Sequence, residues 1–163
     1  MTKSSYWLPV LAAGAAAIVV AVLGASMTDL GPWYHELKKP DWQPPDWAFG
    51  PAWTLIFALA ALSGATAWRD APDEASREWV IGLFAFNGFL NIFWSALFFR
   101  LHRPDWALLE VGVLWLSILL PIIIFARYSK KACLLLVPYL AWVTFAALLN
   151  FEVVKLNGFG MPI

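Results

Sequence analysis

Apolar runs separated by short polar stretches divide the chain into five segments. The runs cover residues 6–28, 52–68, 79–99, 106–126 and 132–154. Each is close to the roughly 20 residues that a helix needs to cross about 30 Å of hydrocarbon, and the second, the shortest, has room to extend back to Phe49. The pattern predicts an all-α membrane protein, a bundle of five transmembrane helices that forms a single domain over residues 1–163.

The first run is too long for the core of a cleaved signal peptide. Lys3 and the sequence Leu23-Gly-Ala-Ser26 are typical of such a signal, but its apolar core has only about 7–15 residues. We therefore predict a retained first helix and no cleaved signal peptide. Small residues recur on one side of this helix, at Ala13, Ala17, Ala21 and Ala25. This stripe either lets another helix approach closely or belongs simply to an alanine-rich span.

Composition supports a position in the lipid bilayer. Hydrophobic residues make up 61% of the chain and charged residues 13%, against about 45–50% and about 25% in soluble domains. The formal net charge is zero, and there is neither a basic stripe nor a phosphate-binding glycine loop, which argues against nucleic acid and nucleotides as partners. Basic residues are nearly balanced between the two sides of the membrane, so the positive-inside rule sets no orientation.

The connection between the first two helices is long and rich in aromatic residues and proline. It covers residues 29–51, whereas typical connections have about 4–6 residues. The prolines, which stiffen the backbone, are Pro32, Pro40, Pro44, Pro45 and Pro51. Aromatic anchors at a membrane interface do not need so many prolines. We therefore predict a stiff lid that folds over one end of the bundle.

Polar residues lie on one face of the third helix. Asn87, Asn91 and Trp94 follow the spacing i, i+4, i+7 and so share that face. A carboxamide within a membrane is costly unless it meets a hydrogen-bonding partner, and we expect both amides to face the bundle interior. Their partners are either neighbouring helices or a ligand, and Asn87 is the stronger candidate for a ligand contact.

The fifth helix combines aromatic, small and polar residues on one side. Tyr139, Ala146 and Asn150 share a face, and Trp142 lies about 60° to one side of it. An aromatic wall, a small gap and polar tips are typical of a pocket for a flat apolar ligand. The same composition also occurs in ordinary helix packing.

Few residues are suited to catalysis or metal binding. Glu110 is the one acid well inside an apolar run, and because it lies only about 8 Å from the start of its helix we expect its carboxyl to reach water. His35 and His102 both lie in connections, which argues against a haem held between two histidines. The single cysteine, Cys133, excludes an intrachain disulfide and a zinc cluster.

Three motifs together identify a family resemblance. The first runs Trp33-Tyr34…Lys39-Pro40-x-Trp42-x-Pro44-Pro45-x-Trp47-x-Phe49-x-Pro51-Ala52-Trp53. The others are Asn91-x-x-Trp94 with Phe98-Phe99, and Val137-Pro-Tyr139-Leu-Ala-Trp142 with Leu149-Asn-Phe151. This set resembles the TspO/translocator protein family, the tryptophan-rich sensory proteins and peripheral benzodiazepine receptors. The resemblance implies a five-helix bundle, in many members a homodimer, with the first loop over a pocket, in a bacterial inner or outer membrane.

The resemblance also implies a ligand. Family members bind porphyrins such as protoporphyrin IX, benzodiazepine-type ligands and, in some cases, sterols, and no cofactor is required. Trp53 and Trp142 correspond to two pocket tryptophans that the family associates with porphyrin binding and, in some bacteria, with its light-dependent breakdown. Asn87 is a shorter amide than the glutamine of many relatives. Phe151 replaces the tyrosine of a sterol-recognition pattern, which argues against sterol binding here.

Residue pattern and resemblance together give one set of candidate ligand-binding residues. They are Tyr34, Trp42, Trp53, Asn87, Asn91, Trp94, Tyr139, Ala141, Trp142, Ala146 and Asn150. The leading hypothesis is an integral membrane receptor or sensor for porphyrins and similar flat apolar ligands, with transport left open. One alternative is photo-oxidative degradation of porphyrin. A second is an ion-coupled secondary transporter, for which Glu110 is the candidate ionisable group.

Overall fold

The fold is a bundle of long helices. The structure, a computed structural model, describes the backbone of residues 3–158 and the side chains of residues 7–158; residues 1–2 and 159–163 of the predicted domain lie outside the described part. Within it, five helices are long and apolar enough to cross a membrane. They are α1 (Lys3–Met27), α3 (Phe49–Asp70), α4 (Glu74–Ser95), α5 (Pro104–Phe125) and α6 (Lys130–Asn157), with the short α2 (Pro32–Glu36) between the first two. The prediction of an all-α, five-span protein is confirmed.

Local sequence explains where the spanning helices begin and end. A 3₁₀ turn over Asp46–Ala48 leads directly into α3, so that α3 begins at Phe49. Pro51 lies in the first turn of α3, where a backbone N–H would have no acceptor within the helix, so proline costs no hydrogen bond there. At its far end, α4 continues into a π-helical turn over Ala96–Arg100. Gly158, in a left-handed conformation with φ of 70°, ends α6.

The spanning helices form a ring. Neighbours around the ring are α1, α3, α6, α5 and α4, and α3 also contacts α4 across it. In the most apolar stretch of α1 only 6% of residues are buried, against 44% in α4. The most deeply buried large side chains lie on α5 and α6: Ile118, Phe125, Leu136, Tyr139 and Val143. The tightly packed core therefore lies on one side of the bundle, and α1 closes the other side with little burial.

A hydrogen-bonded network ties α4 to α5 and α6. Asn87 Nδ2 donates to Ser117 Oγ over 2.8 Å, and Tyr139 OH donates to Asn87 Oδ1 over 3.0 Å. Asn91 Nδ2 donates to the same tyrosine oxygen. Both amides therefore face the bundle interior, as predicted. Interhelical hydrogen bonds of this kind contribute about 0.6 kcal/mol each on average within a membrane.

Glu110 lies on the buried face of α5. Its exposed fraction is 8%, and neither carboxylate oxygen forms a hydrogen bond to the residues that the structure describes. Ala107, Val111 and Leu114 on the same face are also buried. The expectation that this carboxyl reaches water is wrong, because the side of the helix on which a residue lies decides its exposure, and distance from the helix end does not.

Candidate functional site

The connection between α1 and α3 folds down onto the end of the bundle. We call residues 28–48 the cap. Trp33 of the cap stacks on His102, with ring centroids 4.2 Å apart and ring planes at 15°, and meets the Phe98 ring edge-on at 6.1 Å. Tyr34 and Leu37 are each 8% exposed and pack in one cluster with Phe98. The predicted lid over one end of the bundle is therefore present.

Hydrogen bonds hold the cap in place. The Lys38 backbone N–H donates to Asn157 Oδ1, and Asn157 Nδ2 donates to the Lys38 carbonyl, each over 2.9 Å. Tyr34 OH donates to Asp46 Oδ1 over 2.9 Å and accepts from Gln43 Nε2 over 3.3 Å. Burial, followed by the hydrogen bond to Asp46, raises the pKa of the Tyr34 phenol above its ordinary value of 10.0. The phenol therefore stays protonated and keeps donating.

A large cavity lies beneath the cap. Its volume is about 880 Å³, near the upper end of the roughly 300–1,000 Å³ found for small-molecule sites. Residues of α1, the cap, α3, α4 and α6 line it. Within the described part of the chain, α5 contributes no lining residue. The cavity thus occupies the side of the ring where α1 closes the bundle.

Tryptophan and phenylalanine form one wall of the cavity. The Trp53 and Trp142 rings meet edge to face, with centroids 6.1 Å apart and planes at 87°. Phe57 stacks on Trp53 at 5.3 Å, and Phe49 meets Trp142 edge-on at 5.9 Å. Residues of α4 add further rings to the lining, among them Trp94. Rings from α3, α4 and α6 therefore converge on one space.

Small residues of α1 form another part of the cavity wall. The α1 residues with the smallest side chains that line the cavity are Gly14, Ala17, Ala21, Gly24 and Ala25. Three members of the alanine stripe are among them, and Ala13 is not. A close helix approach occurs elsewhere, where α4 meets Val20 at Gly88. The stripe therefore marks the side of α1 that leaves room for the cavity.

The structure brings seven of the predicted site residues to the cavity and leaves four outside it. Those that line the cavity are Tyr34, Trp53, Asn91, Trp94, Trp142, Ala146 and Asn150. The four that do not are Trp42, Asn87, Tyr139 and Ala141. Contact of any of these side chains with a ligand stays a prediction.

The position of a residue along its helix, and the side of the helix on which it lies, explain why these four residues do not line the cavity. Asn87 lies on the same face as Asn91 but one turn, about 6 Å, further along α4, and Tyr139 lies about 10 Å along α6 from Ala146. Ala141 is exposed on the outside of α6. Trp42 packs edge-on against Phe145 at 5.8 Å. Asn91, rather than Asn87, is the amide that reaches the cavity.

Several cavity-lining residues were missed by the sequence analysis. Phe57 lies four residues after Trp53, a helical spacing that marks it as a neighbour on the same face. The cap contributes Lys39, Gln43 and Asp46 to the lining. These three follow no period, since the cap is largely irregular, and no local pattern identifies them.

Three polar atoms on cavity-lining residues are buried without a hydrogen-bond partner among the described residues. They are Nε1 of Trp94, Nε1 of Trp142 and Oδ1 of Asn150. Asn150 is 1% exposed, and its Nδ2 donates to the Pro104 carbonyl over 2.8 Å, which fixes the amide. Buried polar atoms normally find partners. Two indole donors and one amide acceptor of the lining residues therefore lie buried and unsatisfied by the described residues.

Comparison with known proteins places this cavity in a family context. The model of the TspO/MBR family matches residues 10–156. The tryptophan-rich protein TspO of Chlorobaculum tepidum is 45% identical over 131 residues, which cover 77% of this chain and 80% of that relative. Protein CrtK of Rhodobacter capsulatus is 36% identical over 133 residues, which cover 82% of this chain and 83% of that relative. Translocator protein of Sus scrofa is 32% identical over 126 residues, which cover 77% of this chain and 75% of that relative.

The family match includes most of α1, the cap and nearly all of α6, so it extends over the five spanning helices and the residues that line the cavity. The chain belongs to the TspO/MBR family and is an integral, multi-pass membrane protein.

Proposed function

We propose that this protein is a membrane receptor that binds porphyrins and similar flat apolar ligands in the cavity beneath the cap. The observation that carries the proposal is the contact of Trp53 and Trp142 at 6.1 Å in the wall of a cavity of about 880 Å³. A cavity of this size suits a ligand larger than most small molecules. The motif resemblance to porphyrin-binding relatives supports the same ligand class.

The lining of the cavity favours a broad, flat molecule. Indole rings offer stacking faces, and each aromatic pair adds about 0.5–1.5 kcal/mol beyond the burial of apolar area. The glycines and alanines of α1 in the lining leave space for an edge of such a ligand.

Titration of the purified protein with protoporphyrin IX tests the proposal. The Soret absorbance of the porphyrin reports binding directly, so it is not confused by the 11 tryptophans of the chain. We expect saturable binding, weakened by about 2- to 12-fold in Trp142→Leu and in Trp53→Leu, as loss of one stacking pair implies. Trp79→Leu is the matched control, because Trp79 is 65% exposed on α4 and does not line the cavity.

Two results would overturn the proposal. One is the absence of saturable binding to the folded wild-type protein. The other is equal loss of affinity in all three tryptophan variants, because this would place the porphyrin against the outer surface and not in the cavity.

Photo-oxidative degradation of the bound porphyrin is a second candidate function. The observation that favours it is the indole pair of Trp53 and Trp142 in the cavity wall, since indole rings are readily oxidised. Illumination of the complex in the presence of oxygen tests it, and bleaching at the rate of free porphyrin in the same detergent would exclude it. No comparable observation favours ion-coupled transport, because Glu110 does not line the cavity.

A further inference from the structure

The cavity opens on one side of the bundle, between α1 and α3. These two helices are neighbours in the ring, and each contributes residues that line the cavity and are also exposed. We call the opening between them the slot. Its rim is formed by Ile18 and Ala25 of α1 and by Gly50, Thr54 and Ala58 of α3.

Exposure to the cavity alone does not account for the exposure of the rim. Ala21 and Ala61 line the same cavity from the same two helices, and Ala146 lines it from α6, yet all three are only half-exposed. The alanines of the rim, Ala25 and Ala58, are fully in the exposed class. Since side chains of one size are compared, the additional exposure of Ala25 and Ala58 lies on the outer surface of the bundle.

The slot extends from the cap to the middle of the membrane. Ala58 lies nine residues after Phe49, the start of α3, and Ile18 lies nine residues before Met27, the end of α1. Nine residues of helix measure about 14 Å, close to half of the roughly 30 Å thickness of the hydrocarbon. The rim therefore faces acyl chains over most of its length.

The rim is compatible with contact with lipid. Its side chains are small or aliphatic, and the one hydroxyl among them is satisfied, because Thr54 Oγ1 donates to the Gly50 carbonyl over 2.9 Å. A polar group without a partner would be costly in hydrocarbon. Small side chains also leave width between the two helices.

The cap and α1 are held to different degrees. The cap is fixed by the paired hydrogen bonds between Lys38 and Asn157 and by the burial of Tyr34 and Leu37. In contrast, only 6% of the most apolar stretch of α1 is buried. A helix with so few buried contacts moves at a lower cost than the cap does.

We propose that the ligand enters and leaves the cavity sideways, from the hydrocarbon of the bilayer through the slot, while the cap stays closed. The proposal rests on the function proposed above and adds the route by which the site exchanges its ligand. An apolar ligand is concentrated in the bilayer, so a lateral route takes it from the phase in which it is dissolved.

Bulky side chains on the rim test the slot. The protein is reconstituted into phosphatidylcholine vesicles and mixed with vesicles that carry protoporphyrin IX, and the Soret absorbance follows association; excess empty vesicles then drive dissociation. Ala25→Phe and Ala58→Phe should slow both rates about tenfold and change their ratio less than about threefold, because an obstacle on the route raises one barrier for both directions. Ala16→Phe is the matched control, since Ala16 is exposed on the opposite side of α1 from Ala25 and does not line the cavity.

Two changes at the cap test the competing route. Asn157→Ala removes both hydrogen bonds to Lys38, and Lys38→Cys combined with Asn157→Cys, joined by a short bismaleimide cross-linker, pins the cap; the single variant Lys38→Cys, treated in the same way, is its control. Entry through the cap predicts faster exchange in the first protein and slower exchange in the second. Entry through the slot predicts wild-type rates in both.

The outcomes separate the route from the receptor function. Slower exchange in the pinned protein, or control rates in both rim variants, would overturn entry through the slot while the receptor function stands. A rim variant that loses affinity without slower association would also overturn it, because its side chain would then act on the bound ligand. Absence of saturable binding to the folded wild-type protein would overturn the receptor function itself.

Discussion

Replacing Tyr139 by phenylalanine removes a single hydroxyl from the centre of the bundle. This hydroxyl donates to Asn87 Oδ1 over 3.0 Å and accepts from Asn91 Nδ2. Asn87 keeps its bond to Ser117 in the variant, so one amide is partly satisfied and the other loses its partner. The ring itself, 1% exposed, keeps its packing because the two side chains differ by one atom.

The expected loss of stability follows from these two hydrogen bonds. Interhelical hydrogen bonds within membranes contribute about 0.6 kcal/mol each on average, so loss of both gives a lower bound of about 1.2 kcal/mol on the loss of stability. A buried amide left without a partner raises the loss toward about 3 kcal/mol. We therefore expect Tyr139→Phe to lower the free energy of unfolding by about 1–3 kcal/mol. Porphyrin affinity should change less than about twofold, since Tyr139 does not line the cavity.

Unfolding by sodium dodecyl sulfate, followed by circular dichroism, measures the stability change, and the Soret titration measures affinity. Tyr128→Phe is the matched control, because Tyr128 packs its ring on Phe125 at 5.9 Å in the turn before α6. Tyr128 is half-buried and its hydroxyl forms no hydrogen bond to a described residue, so its loss is expected to stay within about 0.5 kcal/mol. If Tyr139→Phe is as stable as the control but binds porphyrin ten times more weakly, the hydroxyl belongs to the ligand site and the assignment is wrong.

Three further changes test other parts of the structure. Ala146→Trp should fill the cavity and abolish saturable porphyrin binding, with the circular dichroism spectrum unchanged. Gly88→Ala places a Cβ 2.8 Å from Val20 Cγ2 and should cost about 1–3 kcal/mol in the same unfolding assay, whereas Gly82→Ala, with open space around it, should cost nothing. The pKa of Tyr34 is raised when the cap is folded, so the stability that its protonated phenol contributes is complete below about pH 10 and falls as the pH rises further. Above about pH 10, the melting temperature of Tyr34→Phe should therefore fall less steeply with pH than that of the wild-type protein.

Helix number and the presence of the cap follow from sequence because their causes are local. A run of apolar residues long enough to cross the bilayer has few alternatives to a spanning helix. The prolines of the cap restrict the backbone wherever they occur, and its aromatic side chains need an apolar surface to pack on. Both features were predictable without knowledge of neighbouring helices.

The depth of each residue along the bundle was not predictable. Asn87 and Asn91 share a face of α4, and so do Tyr139 and Ala146 on α6, but only Asn91 and Ala146 line the cavity. Periodicity gives the direction of a side chain around a helix and says nothing of the height at which a cavity lies. That height depends on where α1 and the cap leave space, a property of several segments together.

The structure of the complex with protoporphyrin IX is the most direct test of the ligand cavity. We expect the macrocycle beneath the cap, with one face against the Trp53–Trp142 pair and an edge toward the small residues of α1. A macrocycle bound on the outer surface of the bundle, with the space between Trp53, Trp142 and α1 unoccupied, would contradict the proposed function.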